Sequence, residues 1–168
     1  MLVALKLYIT QYYVFMTLDE TDRAILNRLQ QEARISNVQL AECVHLSESA
    51  CLRRVRALEE AGFIAGYAAL VDAERVGLSV NVFVQVALTH QDQADLDAFE
   101  EAVQGIPEVM ECYLMTGEFD YLLRVIVSDP ADYERIHRHH LTRLPAVSRV
   151  QSSFALRTVR KTTVLPLR

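Results

Sequence analysis

The 168-residue chain is 51% hydrophobic, carries a formal net charge of −5 and contains three cysteines. That length fits one domain or two small ones, and burying a core is not in question. The odd number and irregular spacing of Cys43, Cys51 and Cys112 suggest neither a disulfide framework nor a zinc site, and fit a reducing cytoplasm. The charge divides by region. Residues 16–66 hold eight acids and six bases, residues 67–140 fourteen acids and four bases, and residues 141–168 six bases and no acid.

The first fifteen residues, MLVALKLYITQYYVF, are apolar apart from Lys6. They are too short to span a membrane and lack the basic start and cleavage site of a signal peptide. A helix start follows Met16 at once. Residues 1–15 are therefore expected to be an extension upstream of a true start at Met16, with an extra strand as the rival reading. Asp19 is the expected N-cap, Asp22 follows three residues on, and Ile25, Leu26, Leu29 and Ala33 recur at helical spacing.

The stretch from Val38 to Gly62 is the most informative. Leu40, Ala41 and Val44 give a short helix an apolar face, and His45-Leu46-Ser47 interrupts it. A longer helical pattern then runs through Cys51, Leu52, Val55 and Leu58. Ser47 stands where a hydroxyl caps a helix start, and Gly62 where a left-handed residue ends one. A short helix, a three-residue turn and a longer helix make a helix-turn-helix, whose second helix enters a DNA major groove. The turn position of His45 favours positive φ. Glycine is its usual occupant, and histidine tolerates that region better than most residues.

Unrolled at about 100° per residue, the second helix puts Cys51, Val55 and Leu58 on one stripe. Ser49, Arg53 and Arg56 fall opposite, Ala50 and Ala57 beside them, and Arg54 on a flank. Small residues at the start allow close approach, an alanine methyl can touch a thymine methyl, and an arginine fork fits guanine O6 and N7. The candidate DNA contacts are Ser47, Ser49, Ala50, Arg53, Arg54 and Arg56. Arginines on an ordinary amphipathic helix are more simply a solvated face, and the attached helix and turn reverse that preference. With so little net positive charge, one module is expected to bind phosphate weakly, which points to oligomers presenting several modules to one DNA.

Ile64–Val71 reads as a linking strand, with the domain boundary between Gly66 and Gly77. The expected division is a DNA-binding domain over 16–66, a linker over 67–78 and a second domain over 79–168. In that second domain Val80–Leu88 alternates as a strand. Asp92–Val103 is an acidic helix ended by Gly105 and Pro107, and Val109–Thr116 is a second strand. Gly117 turns the chain into a third strand, Tyr121–Val127. Asp129-Pro130 opens a helix carrying Tyr133, Ile136, His140 and Leu144 at helical spacing, and Val147–Val159 is the fourth strand. The order βαββαβ is the ferredoxin-like plan, so the fold class is α+β.

The stretches LDETDRAIL, ARISNVQLAECVHLSESACLRRVRALEEAGFIAGY, FEEAVQGIPEVMECYLMTGEFDYLLRV, LPAVSRVQSSFALRTV and KTTVLPL resemble the Lrp/AsnC (feast/famine) family of prokaryotic transcription regulators. The resemblance spans about residues 18–167. It implies an N-terminal winged-type helix-turn-helix domain and a C-terminal ferredoxin-like domain that binds effector and drives assembly. It further implies dimers that assemble to octamers, an amino acid or related small effector, and control of amino-acid metabolism or transport genes. The family's effector pocket maps onto Thr116, Gly117, Glu118, Phe119, Asp120 and Tyr121, with Ser153 a weaker lining candidate. Asp120 has the charge to take an effector ammonium group, and a glycine turn exposes N–H donors for its carboxylate. On spacing alone, Gly117 and Asp120 are equally a plain hairpin turn.

Two other classes remain open on the residues. One is a metal-dependent enzyme using His137 and His140, which share a helix face. Arg138 and Arg143 stand where further ligands would be wanted, so solvated histidines are preferred, with no catalytic residue, metal or cofactor expected. The other is a stand-alone sensing or assembly domain, against which the helix-turn-helix counts. The expected partners are double-stranded DNA, an amino acid and further copies of the chain, with no membrane and a cytoplasmic location.

Overall fold

The computed structural model describes residues 17–167, so the N-terminal extension and the start at Met16 lie outside the described residues. The chain divides into two compact units. One runs to Ala69 and takes back the chain from Arg160 onward; the other is Leu70–Val159.

The first unit contains α1 (Glu20–Gln31), α2 (Asn37–Cys43) and α3 (Glu48–Glu60). Each helix start is fixed by a side-chain cap. The Asp19 carboxylate accepts the Asp22 N–H at 2.7 Å, and the Asp22 carboxylate accepts the Asp19 N–H at 3.3 Å. Ser36 and Gln39 make the same reciprocal pair for α2, and the Ser47 hydroxyl accepts the Ala50 N–H for α3. The helix ends are equally specific. His45 takes φ 56°, and the Leu46 N–H donates back to the Ala41 carbonyl at 2.9 Å. Gly62 at φ 76° repeats this motif after α3, with the Phe63 N–H on the Leu58 carbonyl. Ile25, Leu26, Leu40, Ala41, Cys51 and Leu58 form the core. Cys51 is buried as its helical stripe requires, whereas Cys43 is exposed.

The second unit is a four-stranded antiparallel sheet built from β1 (Val80–Leu88), β2 (Val109–Leu114), β3 (Tyr121–Val127) and β4 (Val147–Phe154). Their order is β2-β3-β1-β4. The helices α4 (Gln93–Gln104) and α5 (Pro130–His139) join them in the βαββαβ sequence. Alternate residues Val82, Val84 and Val86 of β1 and Leu123, Val125 and Val127 of β3 share one core with Phe99, Val103, Tyr133 and Ile136 of the helices. The opposite face presents Phe83, Gln85, Tyr113, Leu122 and Arg124.

Four sequence expectations are corrected. Ile64–Val71 forms no strand, because no neighbouring strand among the described residues offers it a ladder, and Leu70 and Val71 stay exposed. The last strand ends at Phe154 instead of Val159. The Ala155 N–H still reaches the Asn81 carbonyl at 2.9 Å, but β1 begins one residue away and offers nothing further. The helix expected to run through Leu144 stops at His139, and a 3-10 turn covers Leu141–Arg143. Leu144 precedes Pro145, which disfavours helical backbone there. Finally, the chain from Arg160 belongs to the first unit, not the second, because Leu167 packs against the first unit's core.

Candidate functional site

On α3, Ser49, Arg53 and Arg56 are exposed and Ala50 is half-buried. Among the described residues, neither Arg53 nor Arg56 has an ion-pair or hydrogen-bond partner, so both forks are available to an incoming anion or base. Ser47 is exposed at the helix start, but its hydroxyl is engaged in capping and lies 3.3 Å from the Ser49 hydroxyl. The first turn of α3 is pinned by Asn37, whose side-chain amide donates to the Glu48 carbonyl at 2.9 Å.

Arg54 does not belong with these residues. Its Nη1 lies 2.8 Å from Asp19 Oδ2 and 2.8 Å from Asp22 Oδ1. The Asp22 side chain is only 3% exposed, so the guanidinium neutralises a buried carboxylate at the start of α1. The Asp22 hydrogen bond, followed by that of Asp19, holds Arg54 more firmly protonated. The Asp22 N–H, assisted by Arg54, holds the Asp19 carboxyl below its usual value of 3.8. Arg54, one of the candidate DNA contacts, is held as an internal strut, because a flank position faces whatever helix lies beside it.

In the second unit, the turn after β2 carries Gly117 at φ 137°, with no atom within 4 Å of where a Cβ would sit. Asp120 is 8% exposed and works hard locally. Its Oδ2 accepts the Leu88 N–H at 2.7 Å and its Oδ1 accepts the Gln91 amide at 2.6 Å. Its own N–H donates to Val86, and its carbonyl accepts the Met115 N–H. A cavity of about 290 Å³ opens beside it, lined by Gln91, Leu96, Leu114, Met115, Thr116, Gly117 and Asp120. A second, of about 280 Å³, is lined by Gln85, Met115, Thr116, Glu118, Phe119, Tyr121 and Leu122.

The turn residues therefore serve different sites. Thr116 lines both cavities. Glu118 is paired with Arg149 of β4 at 2.7 Å, and the Arg149 guanidinium lies 4.7 Å from the Phe119 ring centroid. Tyr121 turns its ring inward to stack on Phe99, and its hydroxyl donates to Glu100 at 2.8 Å. Burial, reinforced by Glu100, raises its pKa. Ser153 pairs with Phe83 near the end of the edge strand β4 and lines neither cavity. Gln91 and Arg149 escaped the sequence reading because no spacing marks them; Gln91 reaches the turn through the pairing of β1 with β3, and Arg149 only once β4 lies beside β1. His137 lies against Tyr133, with ring centroids 6.0 Å apart, and no group of three metal-binding side chains occurs among the described residues.

Residues 18–65 match the model of a winged helix-turn-helix DNA-binding domain, and residues 81–165 match the Lrp/AsnC ligand-binding domain. The chain belongs to the Lrp/AsnC family. It is 40% identical over 151 residues to the leucine-responsive regulatory protein of Klebsiella pneumoniae, covering 90% of this chain and 92% of that one. A Neisseria meningitidis transcriptional regulator, solved in complex with L-Met, superposes with a TM-score of 0.85 at 40% identity, covering 89% of this chain and 97% of that one. An AsnC-family regulator from Agrobacterium tumefaciens gives the same TM-score and coverage at 38% identity. This Lrp/AsnC member is thus a DNA-binding transcriptional regulator with an amino-acid ligand-binding domain, as both of its units suggest independently.

Proposed function

We propose that this regulator binds an apolar amino acid at the Thr116–Asp120 turn and reads DNA through Ser49, Ala50, Arg53 and Arg56, controlling genes of amino-acid metabolism or transport. The observation that carries the effector reading is the cavity beside Asp120. A single buried carboxylate sits among Leu96, Leu114 and Met115, next to an unobstructed glycine. The carboxylate suits an ammonium group, the glycine backbone suits a carboxylate, and the apolar wall suits a leucine or methionine side chain. The relatives named for leucine and solved with L-Met support the same class.

Asp120→Asn is a poor test, because it exchanges two charge-assisted hydrogen bonds for weaker neutral ones and requires the Gln91 amide to flip, so lost stability would be mixed with lost binding. Met115→Glu is better: the residue is exposed and borders both cavities. Titration of full-length protein with an amino-acid panel should show a thermal shift with leucine or methionine that Met115→Glu loses while keeping its fold. An undiminished response in the variant would place the site elsewhere, and no response in the parent would remove the effector reading.

Assembly belongs to the same proposal. The uncovered sheet face carries exposed Phe83 and Tyr113, and the linker exposes Tyr67, Leu70 and Val71. Such surfaces suit further copies of the chain. Sedimentation should show a dimer or larger, up to an octamer, and a monomer at micromolar concentration would contradict this. No helix among the described residues is long and apolar enough to cross a membrane, and the cytoplasm is the proposed location.

A further inference from the structure

The ligand-binding family model extends to residue 165, yet the structure returns the chain from Arg160 onward to the DNA-binding unit. The attachment is specific. On α1, Gln30 uses both ends of its amide: Oε1 accepts the Leu165 N–H at 2.6 Å and Nε2 donates to the Leu165 carbonyl at 3.3 Å. Two residues later, Leu167 packs against the core formed by Ile25, Leu40 and Leu58. The segment also changes the charge of the unit. Residues 16–66 hold two more acids than bases, and residues 67–69 add no charge. Among the described residues, Arg160 and Lys161 bring two bases and no acid, taking the net charge from −2 to 0. Arg160 and Lys161 are exposed and have no ion-pair partner among the described residues.

We propose that the C-terminal segment is a working part of the DNA-binding unit. Leu167 and the Gln30 amide dock it, and Arg160 and Lys161 supply phosphate-binding charge beyond that of Arg53 and Arg56. Arg54, the third arginine of α3, is engaged by Asp19 and Asp22. The contribution is to affinity for any duplex, since a flexible cation beside a phosphate carries no base information. It is independent of effector, so its test uses no added amino acid and stands apart from the proposed ligand site.

The test is binding of the full chain and an Arg160→Ala/Lys161→Ala variant to cognate and unrelated duplexes across a salt series, at concentrations giving the same assembly state. Each phosphate contact contributes about 0.9 to the slope of log affinity against log salt. The double variant should lose affinity for both duplexes by the same factor, with a slope shallower by about 2 and an unchanged specificity ratio. An unchanged slope would overturn the charge role. Hydrogen exchange of Gln30→Ala checks the docking: residues 165–167 and the end of α1 should exchange faster than in the parent. Equal exchange would show that the segment is not held there.

Discussion

Among the described residues, six buried apolar residues form the core of the DNA-binding unit, against fifteen in the sheet unit. Helix starts are capped by side chains in both units, and the smaller unit adds two glycine-type helix ends and a buried carboxylate clamped by Arg54. The larger unit has apolar burial to spare. It can therefore hold a carboxylate, Asp120, beside an open cavity at its rim. Within α3 itself, arginine serves structure at one position and availability at the next. Arg54 is an internal strut, and one residue earlier Arg53 stands free.

The comparison breaks most visibly under core truncation. Leu58→Ala and Leu123→Ala each remove a fully buried leucine, at a cost of about 2–5 kcal/mol. A unit of some 60 residues has only about 3–9 kcal/mol in hand. Leu58→Ala should therefore melt the DNA-binding unit at or below 37 °C and abolish DNA binding. Leu123→Ala should lower the sheet unit's melting temperature without unfolding it. Circular dichroism melts with DNA binding at 25 °C distinguish these outcomes; equal tolerance of both changes would contradict the contrast.

Arg54→Ala comes next. It leaves the Asp22 carboxylate buried without its cation, and with Arg54 a third exposed the expected cost is about 2–3 kcal/mol, confined to the DNA-binding unit. Chemical denaturation should show the earlier transition shifted and the later one unmoved. We propose that its salt slope for DNA matches the parent's once the protein is folded, because the Arg54 guanidinium is engaged by Asp19 and Asp22.

Acid probes the same clamp more gently. Asp19 has a folded-state pKa below 3.8, so its contribution is fully present above about pH 4 and is lost as pH falls through the lower, folded value. As pH falls below about 4 the DNA-binding unit should lose stability, and Asp19→Asn should flatten that dependence in urea titrations. The smallest expected effect is a gain. His45→Gly relieves a non-glycine residue at φ 56° and should stabilise the unit by about 0.5–1 kcal/mol in the same titrations.

Much of this was legible in the sequence. The Asp19 and Ser47 caps, the left-handed His45 and Gly62, and the alternation of β1 all follow from local rules, and the structure obeys them. The failures share a cause: they depend on what lies beside an element. Ile64–Val71 has strand composition but no partner strand, and Leu144 has helical spacing but a proline after it. Arg54 sits on a flank that meets α1. At the candidate site, the loop glycine and Asp120 were visible as turn residues. The Gln91 amide, the Arg149 pair and the inward turn of Tyr121 were not, because each depends on contact across strands or between sheet and helix.

The most direct test compares Arg53→Ala and Arg54→Ala for binding to a cognate duplex from the regulator's own upstream region and to unrelated DNA at fixed salt. Arg53 is assigned to base reading, and a good arginine–guanine contact contributes about 1–3 kcal/mol of discrimination. The account predicts that Arg53→Ala loses at least fivefold of the specificity ratio with its melting curve unchanged, while folded Arg54→Ala keeps the full ratio. An unchanged ratio in Arg53→Ala, or a loss of specificity in Arg54→Ala, would contradict the assignment of one arginine to DNA and its neighbour to the fold.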